Sequence, residues 1–205
     1  MRRFQAVLIA ALTLAACRNE PAARQQPELA AIAKASSKTV AGPERRILAF
    51  GDSLFAGYRL SEGEGYPERL EAKLRSQGIN ARVSNAGVSG DTTAAGRQRL
   101  KFVLDSLGAP PELAVVELGG NDLLRGVPPA ETRANLAAIL AELHARKIPI
   151  LLMGMRAPPN MGPKYQAEFD LIYPALAQQF GARLVPFFQA AVFDRPALLQ
   201  ADHVH

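Results

Sequence analysis

Residues 47–54 read ILAFGDSL, and this stretch decides how the rest of the chain is interpreted. Four apolar residues followed by a glycine are the pattern of a short buried strand that ends in a turn. Asp52 and Ser53 follow that glycine directly. Because ligands of open α/β sheets bind beyond the carboxyl ends of the strands, the stretch predicts a polar pair at a ligand-binding edge.

Four further apolar runs alternate with segments of helical spacing. The runs predict strands over 81–84, 113–118, 148–153 and 183–187. The spacing predicts helices over 66–77, 93–107, 129–147 and 165–180, and a short one over 196–200. Strands separated by helices form parallel sheets that are covered on both faces. The expected fold class is therefore α/β, with three α/β/α layers around a five-stranded parallel sheet.

The composition excludes several function classes. The chain has 205 residues and a net charge of +5, and its arginines are scattered, whereas a nucleic-acid reader usually has a clustered basic stripe. The first strand is not followed by a Gly-x-Gly-x-x-Gly loop, and the sequence has no Walker lysine. Nucleotide binding is therefore not indicated. No residues have the spacing of a metal site. We expect no nucleic-acid partner, no metal, no cofactor and a monomeric protein.

The first seventeen residues have the pattern of an export signal. A basic start is followed by an apolar stretch over 4–16, which is too short for an ordinary transmembrane helix. The sequence then reads Leu-Ala-Ala before Cys17, the only cysteine of the chain, and resembles a bacterial lipobox. We expect a signal peptide over 1–16, a lipid anchor on Cys17, a flexible linker over 17–44 and a periplasmic or cell-envelope lipoprotein. A plain signal peptide with a leftover thiol is the alternative.

Small and polar residues also follow three later elements of the predicted sheet. These clusters are 85–91, 119–122 and 202–205. Each alone is compatible with turn chemistry, but all four clusters fall at the same sheet edge. A serine hydroxyl needs a base before it can act as a nucleophile, and imidazole is the usual one. Asp202 and His205 are three residues apart, so in one helix-like turn both side chains can face the same way. Asp202 can then hold one ring nitrogen of His205 and leave the other for Ser53, and His203 is the alternative base.

An oxyanion formed on attack by Ser53 needs hydrogen-bond donors. The Ser53 N–H can serve if this residue opens a helix, and Gly90 can bring a second N–H close because it has no side chain. The side-chain amide of Asn121 can provide a third donor. These expectations describe a Ser-His-Asp esterase.

The four clusters resemble conserved blocks of the SGNH (GDSL) hydrolase family. Ser53, Gly90, Asn121 and His205 match the four residues that give the family its name, and Asp202 matches the third member of the triad. The resemblance runs from about residue 47 to residue 205. It implies a flavodoxin-like fold and hydrolysis of acyl esters.

The segments 56–59, 116–126 and 184–188 are similar to the thioesterase I, lysophospholipase and arylesterase subgroup. That similarity implies acyl ester and thioester substrates, with an acyl groove lined by Leu123, Leu124, Met155 and Pro158. Family members usually continue past the final histidine with a closing helix, and we expect that helix to be missing from a domain over 45–205. A carbohydrate O-deacetylase of the cell envelope and a non-catalytic envelope binding protein are the alternative functions.

Overall fold

The computed structural model describes residues 40–202 and residues 204 and 205. Five strands and seven α-helices alternate along this part of the chain. The strands are β1 (Arg45–Gly51), β2 (Ala81–Gly87), β3 (Leu113–Glu117), β4 (Ile150–Met153) and β5 (Arg183–Val185). The helices are α1 (Ser53–Ala56), α2 (Tyr66–Ser76), α3 (Thr93–Ser106), α4 (Gly120–Leu124), α5 (Pro129–Ala145), α6 (Pro163–Asp170) and α7 (Ile172–Phe180). Within the same residues, none of the helices has both the length and the apolar character that crossing a bilayer requires.

The strands form one parallel sheet in the order β2-β1-β3-β4-β5. The chain leaves β1 for one edge of the sheet, and after β2 it returns to the other side of β1. This reversal opens a crevice at the carboxyl ends of β1 and β3, where open α/β sheets bind their ligands. Gly51 pairs in register with Glu117, so the segments that follow β1 and β3 begin at the same level of the sheet.

Side chains of β1 alternate between two apolar layers because successive strand residues point to opposite faces. Leu48 and Phe50 pack in the larger layer, which includes buried residues of α3, α5, α6 and α7. Ile47 and Ala49 pack in the smaller one with Phe55 of α1 and with apolar residues of α2. Helices therefore lie on both faces of the sheet, which confirms the predicted α/β fold with its five parallel strands.

Prolines account for the main differences from the predicted elements. The helix expected over 165–180 is two helices, α6 and α7, which meet at Leu171. Pro174 has no N–H to donate to the carbonyl four residues earlier, so an unbroken helix would lose a hydrogen bond there. For the same reason β5 ends before Pro186 and β4 begins only after Pro149. The short helices α1 and α4 lie in the clusters of small and polar residues that follow β1 and β3, for which the sequence analysis predicted no helix bounds.

The close packing of α1 on the end of β2 requires a glycine. A Cβ atom added to Gly87 would overlap the backbone nitrogen of Ala56 and lie 2.7 Å from the carbonyl carbon of Phe55. Both are backbone atoms, which cannot rotate away as a side chain does. The absence of a side chain at Gly87 therefore sets the position of α1 against the sheet.

We predict that Gly87→Ala lowers the free energy of unfolding by about 3 kcal/mol, the upper end of the usual range for overpacking, because backbone must move to admit the methyl group. Urea denaturation measures the change. The matched control is Gly108→Ala, since a Cβ there meets no atom within 4 Å. Equal stability of the two variants would contradict this account of the α1 packing.

Candidate functional site

Ser53 is the first residue of α1 and lies two residues beyond the end of β1 at Gly51. The preceding residue, Asp52, caps this short helix: its Oδ1 accepts a hydrogen bond of 3.1 Å from the Leu54 N–H. Its backbone carbonyl accepts another from Ala56. Side-chain capping of this kind satisfies N–H groups that have no partner within the helix. The Ser53 hydroxyl is thereby held at the crevice between β1 and β3.

The two ends of the described domain meet at this hydroxyl. Ser53 Oγ lies 2.8 Å from His205 Nε2, and Nδ1 of the same ring lies 2.9 Å from Asp202 Oδ2. A carboxylate can only accept hydrogen bonds, so Nδ1 carries the proton and Nε2 is the acceptor that faces the hydroxyl. The structure thus brings together the serine, histidine and aspartate singled out in the sequence.

Asp202 orders the turn that carries the imidazole. Its Oδ1 accepts hydrogen bonds of 3.1 Å from the backbone N–H groups of both His205 and Val204. The bond from the His205 N–H has the largest effect on the Asp202 carboxylate, followed by the bond from the Val204 N–H and the bond from the His205 ring. Together they hold the pKa of Asp202 well below its ordinary value. Hydrogen bonds to the charged form of a carboxylate favour that form. Asp202 is therefore an ionised acceptor beside the imidazole throughout the neutral pH range.

Three contacts attach this terminal turn to the rest of the domain. The Tyr58 ring lies against the His205 ring, with 4.6 Å between the centroids. Gln200 Nε2 donates to the Tyr58 carbonyl at 2.8 Å, and Gln189 Nε2 donates to the Val204 carbonyl at 3.3 Å. Sequence reasoning did not single out Tyr58, Gln189 or Gln200, because nothing in their local pattern indicates contact with a distant turn.

Asn121 lies on the other side of the crevice, in α4. A sharp turn at Gly119 leads from β3 into this helix, with a φ of 121° that glycine adopts readily. A Cβ atom there would also overlap the Tyr173 hydroxyl, which donates a hydrogen bond to the Leu118 carbonyl. The side-chain nitrogen of Asn121 donates to Asp52 Oδ2 at 3.1 Å, which orients the amide group.

Gly90 belongs to the loop after β2. Arg125 Nη2 donates to its carbonyl at 2.8 Å, and Arg99 forms an ion pair with the neighbouring Asp91. Arg99 also donates to the Gly51 carbonyl at 2.9 Å, so this loop is tied to the end of β1. Gly90 itself does not contribute to the cleft wall described below. Within residues 40–202, 204 and 205, neither its N–H nor that of Ser53 has a hydrogen-bond acceptor.

A largely apolar cleft of about 300 Å³ opens beside Ser53. The four residues predicted for an acyl groove all line this cleft: Leu123, Leu124, Met155 and Pro158. Further apolar side chains of the wall come from the segment between β5 and the terminal turn: Phe187, Val192, Phe193 and Leu199. Local pattern did not predict this second group, because an irregular segment has no periodicity that marks an inward face.

A pair of buried carboxyl groups lies beneath Ser53. Glu117 is 0% exposed and Asp52 is 2% exposed, and Glu117 Oε2 accepts a 3.2 Å hydrogen bond from the Asp52 N–H. Burial raises the pKa of both groups, well above the ordinary value in Glu117, where the Asp52 charge adds to the effect. Glu117 was missed as a site residue, although an acidic residue at the end of an apolar strand was a signal that could have found it.

Other sequence expectations concern residues outside the described part of the chain. His203, the alternative base, and Cys17, the expected lipidation site, both lie there, as do the signal peptide and most of the linker. Among the described residues, no group of three or more histidine, cysteine, aspartate or glutamate side chains is arranged to hold a metal ion.

The arrangement is suited to acyl transfer. It combines a hydroxyl, a nitrogen acceptor at hydrogen-bond distance and a carboxylate on the far side of the ring, which is the geometry by which such triads are recognised. Donors near the hydroxyl are suited to a developing oxyanion, and the adjoining cleft is suited to an apolar chain.

Comparison with known proteins identifies the family to which this chain is similar. The profile of the GDSL-like Lipase/Acylhydrolase family matches residues 49–205. Esterase TesA of Pseudomonas aeruginosa is 41% identical over 159 residues, which are 78% of this chain and 78% of that protein. Thioesterase 1/protease 1/lysophospholipase L1 of Escherichia coli K12 is 42% identical over 159 residues, covering 78% of this chain and 74% of that protein.

A solved structure is similar as well. The crystal structure of AlinE4, described as an SGNH-hydrolase family esterase, superposes with a TM-score of 0.78. The two chains are 72% identical, and the match covers 80% of this chain and 87% of AlinE4. Sequence similarity and structural similarity thus both identify the SGNH (GDSL-like) hydrolases.

Proposed function

Because this chain belongs to the GDSL-like lipase/acylhydrolase family and is an ester hydrolase, we propose that Ser53 is its nucleophile and His205 its general base. Asp202 is the carboxylate that orients the imidazole. The observation that carries the proposal is the 2.8 Å separation of Ser53 Oγ and His205 Nε2. At that distance the proton can pass to the ring as the oxygen attacks.

In the first half of the reaction, Ser53 Oγ attacks the acyl carbonyl carbon and its proton moves to His205 Nε2. The carbonyl oxygen becomes an oxyanion, which receives hydrogen bonds from the N–H groups of Ser53 and Gly90 and from the Asn121 amide. The tetrahedral intermediate then expels the alcohol or thiol, which takes the proton from the imidazolium. The acyl group remains bound to Ser53 as an ester.

In the second half, a water molecule attacks the acyl-enzyme and gives a proton to His205 Nε2. The same donors stabilise the second oxyanion, and its collapse releases the carboxylic acid and returns the proton to Ser53 Oγ. Asp202, held ionised by the Val204 and His205 N–H groups, stabilises the imidazolium in both halves. The roles require no metal or cofactor.

We propose acyl esters and thioesters, including lysophospholipids, as the substrate class. The apolar wall of the cleft, which includes Leu123, Leu124, Met155 and Pro158, favours an acyl chain longer than acetyl. The names of the two bacterial relatives, an esterase and a thioesterase/lysophospholipase, support the same class. A carbohydrate O-deacetylase would use the same reacting groups, but it would not need so extended an apolar surface.

We further propose that the protein acts in the cell envelope, anchored by lipid on Cys17. The proposal rests on the sequence of residues 1–17, with their basic start, apolar stretch and terminal Leu-Ala-Ala-Cys. Acyl chains on one cysteine give stable anchoring when two or more are present, since each buried methylene adds about 0.8 kcal/mol. A monomer with such an anchor would meet lipid substrates at the membrane surface.

The proposed roles predict that Ser53→Ala lowers kcat for p-nitrophenyl esters by at least about 10⁴-fold, because Ser53 is the hydroxyl that bonds to His205 Nε2 among the described residues. The same variant should not react with a fluorophosphonate probe, which labels only an activated serine. Ser61→Ala, in an exposed turn, is the control and should retain both properties. Equal turnover by Ser53→Ala and the unsubstituted chain would refute the assignment.

The apolar cleft predicts a dependence on acyl length. In a series from acetyl to dodecanoyl esters and thioesters, we expect Leu124→Ser to lower kcat/KM about fivefold for the long chains and leave the acetyl ester unchanged, because part of a leucine contact is lost. Leu171→Ser is the matched control: Leu171 is 66% exposed and Leu124 67%, but Leu171 lies outside the cleft. Activity confined to acetyl esters would favour the deacetylase instead.

The anchor predicts that the full chain, expressed in a bacterial host, incorporates radiolabelled palmitate and sediments with the membranes. Cys17→Ser should remove the label and shift the protein to the soluble fraction, because no other cysteine is present. Ser36→Ala is a control within the expected linker. Membrane association without label, or label that persists in Cys17→Ser, would contradict lipidation at this residue.

A further inference from the structure

The buried carboxyl groups of Asp52 and Glu117 have different hydrogen-bond partners. Both oxygens of Asp52 accept bonds from N–H groups: Oδ1 from Leu54 and Oδ2 from the side-chain amide of Asn121. Glu117 Oε2 accepts one bond, from the Asp52 N–H, and Oε1 has no partner among the described residues although it is fully buried. The two groups therefore differ in how well they can hold a negative charge.

The partners assign the charge to Asp52 and the proton to Glu117. Two carboxylates this close cannot both be ionised in a buried site without strong repulsion. The carboxylate with two N–H donors is stabilised in its charged form, whereas an ionised Glu117 would leave a charged oxygen without any donor. The pKa directions agree: burial and the Asp52 charge raise that of Glu117 well above its ordinary value. The two carboxyl groups also share a side-chain hydrogen bond, in which the proton lies on Glu117 and faces Asp52. Together with the bonds from Leu54 and Asn121, it opposes the effect of burial on the pKa of Asp52.

The charge on Asp52 decides which way the Asn121 amide points. An ionised carboxylate accepts hydrogen bonds but cannot donate them, so the side-chain NH₂ of Asn121, and not its oxygen, must face Asp52 Oδ2. One N–H of that group is used in this bond, and the second diverges from it and is left for the oxyanion. A neutral acid or amide at position 52 could also donate, and the amide could then turn its oxygen towards the reacting ester.

We propose that Glu117 is a positioning residue of the oxyanion hole: as a proton-carrying acid beneath Ser53, it supports the Asp52 carboxylate that orients Asn121. The inference rests on the proposed function, because it concerns the donors of the same reaction. Glu117 touches no reacting atom and acts only through Asp52. The buried pair thus carries a single negative charge, which also lies near His205 and favours the imidazolium that forms there.

The other groups around Glu117 do not supply a compensating charge to it. The carboxyl group of Asp52 faces it from the β1–α1 junction, and the Tyr173 hydroxyl approaches from α7. The Phe55 ring of α1 closes the space above Gly51, where Glu117 Oε2 also lies. The Arg99 guanidinium bonds to the Gly51 carbonyl and to Asp91, so its hydrogen bonds are directed at other groups.

The state of Glu117 is tested by thermal unfolding of the full chain as a function of pH. A buried acid that keeps its proton when folded and loses it when unfolded makes the protein less stable as the pH rises above the unfolded pKa, here about 4.5. Glu117→Gln cannot ionise, so the Tm of this variant should exceed that of the unsubstituted chain by a gap that widens from pH 4.5 upwards. Glu112→Gln, an exposed acid just before β3, is the control and should show no widening gap. A constant gap for Glu117→Gln would overturn the proposal.

Kinetics test the positioning role. Glu117→Gln retains both an acceptor for the Asp52 N–H and a donor for its carboxylate, so kcat should stay within about threefold at neutral pH. Glu117→Leu removes both and should lower kcat more than about tenfold with KM within about twofold, and Asp52→Asn should lower kcat about 100-fold, the usual effect of losing one oxyanion donor. A loss of more than tenfold in Glu117→Gln would show that a charged glutamate is required and would overturn the proposal.

These outcomes are separable from failure of the proposed function. If Ser53→Ala keeps full turnover, the catalytic assignment fails, whatever the pH dependence of stability. If Ser53→Ala is inactive but Glu117→Gln has lost activity and shows no widening Tm gap, the nucleophile stands and the role of Glu117 fails. Should Glu117→Leu not fold, the conservative glutamine variant alone decides, through its Tm gap and its kcat.

Discussion

The contact between Ser53 and His205 joins residues that are 152 positions apart, and the candidate site depends on holding them 2.8 Å from each other. Each side chain belongs to a different kind of structure. Ser53 follows a buried central strand and opens a capped helix, whereas His205 lies in a turn whose order comes from Asp202. The parallel sheet satisfies this constraint because strands run side by side in one direction, so that distant segments emerge at one edge.

Much of the site is positioned by two buried carboxyl groups beneath Ser53. Asp52 caps the helix of Ser53 through one oxygen and orients Asn121 through the other, while its N–H is bonded to Glu117. One buried carboxylate therefore connects the proposed nucleophile, Ser53, to a proposed oxyanion donor, Asn121. Such a network is stable only when every charged oxygen has a donor, which is why the location of the single proton in the Asp52–Glu117 pair matters.

Some residues of the cleft wall could be predicted from the sequence, and others could not. Leu123 and Leu124 were expected in an acyl groove from the resemblance to the thioesterase I subgroup, and the structure has them in the cleft. Phe187 and Phe193 lie in the irregular segment after β5 and reach the same cleft only because that segment folds back across the sheet edge. Likewise, the apolar spacing over 165–180 predicted one continuous helix. The structure has a break at Leu171, which the missing N–H of Pro174 explains.

The sequence by itself determined the five strands, their parallel arrangement and the residues that stand at their ends, because apolar period and turn chemistry are local properties of the chain. It also identified Ser53, Asn121, Asp202 and His205 as the groups to bring together. Only the tertiary structure decided which N–H groups donate to each buried carboxyl group. It also decided that the Tyr58 ring packs against the imidazole and that α1 packs against Gly87. These features depend on distances of a few ångströms between segments far apart in the chain, and such distances arise only when the layers pack.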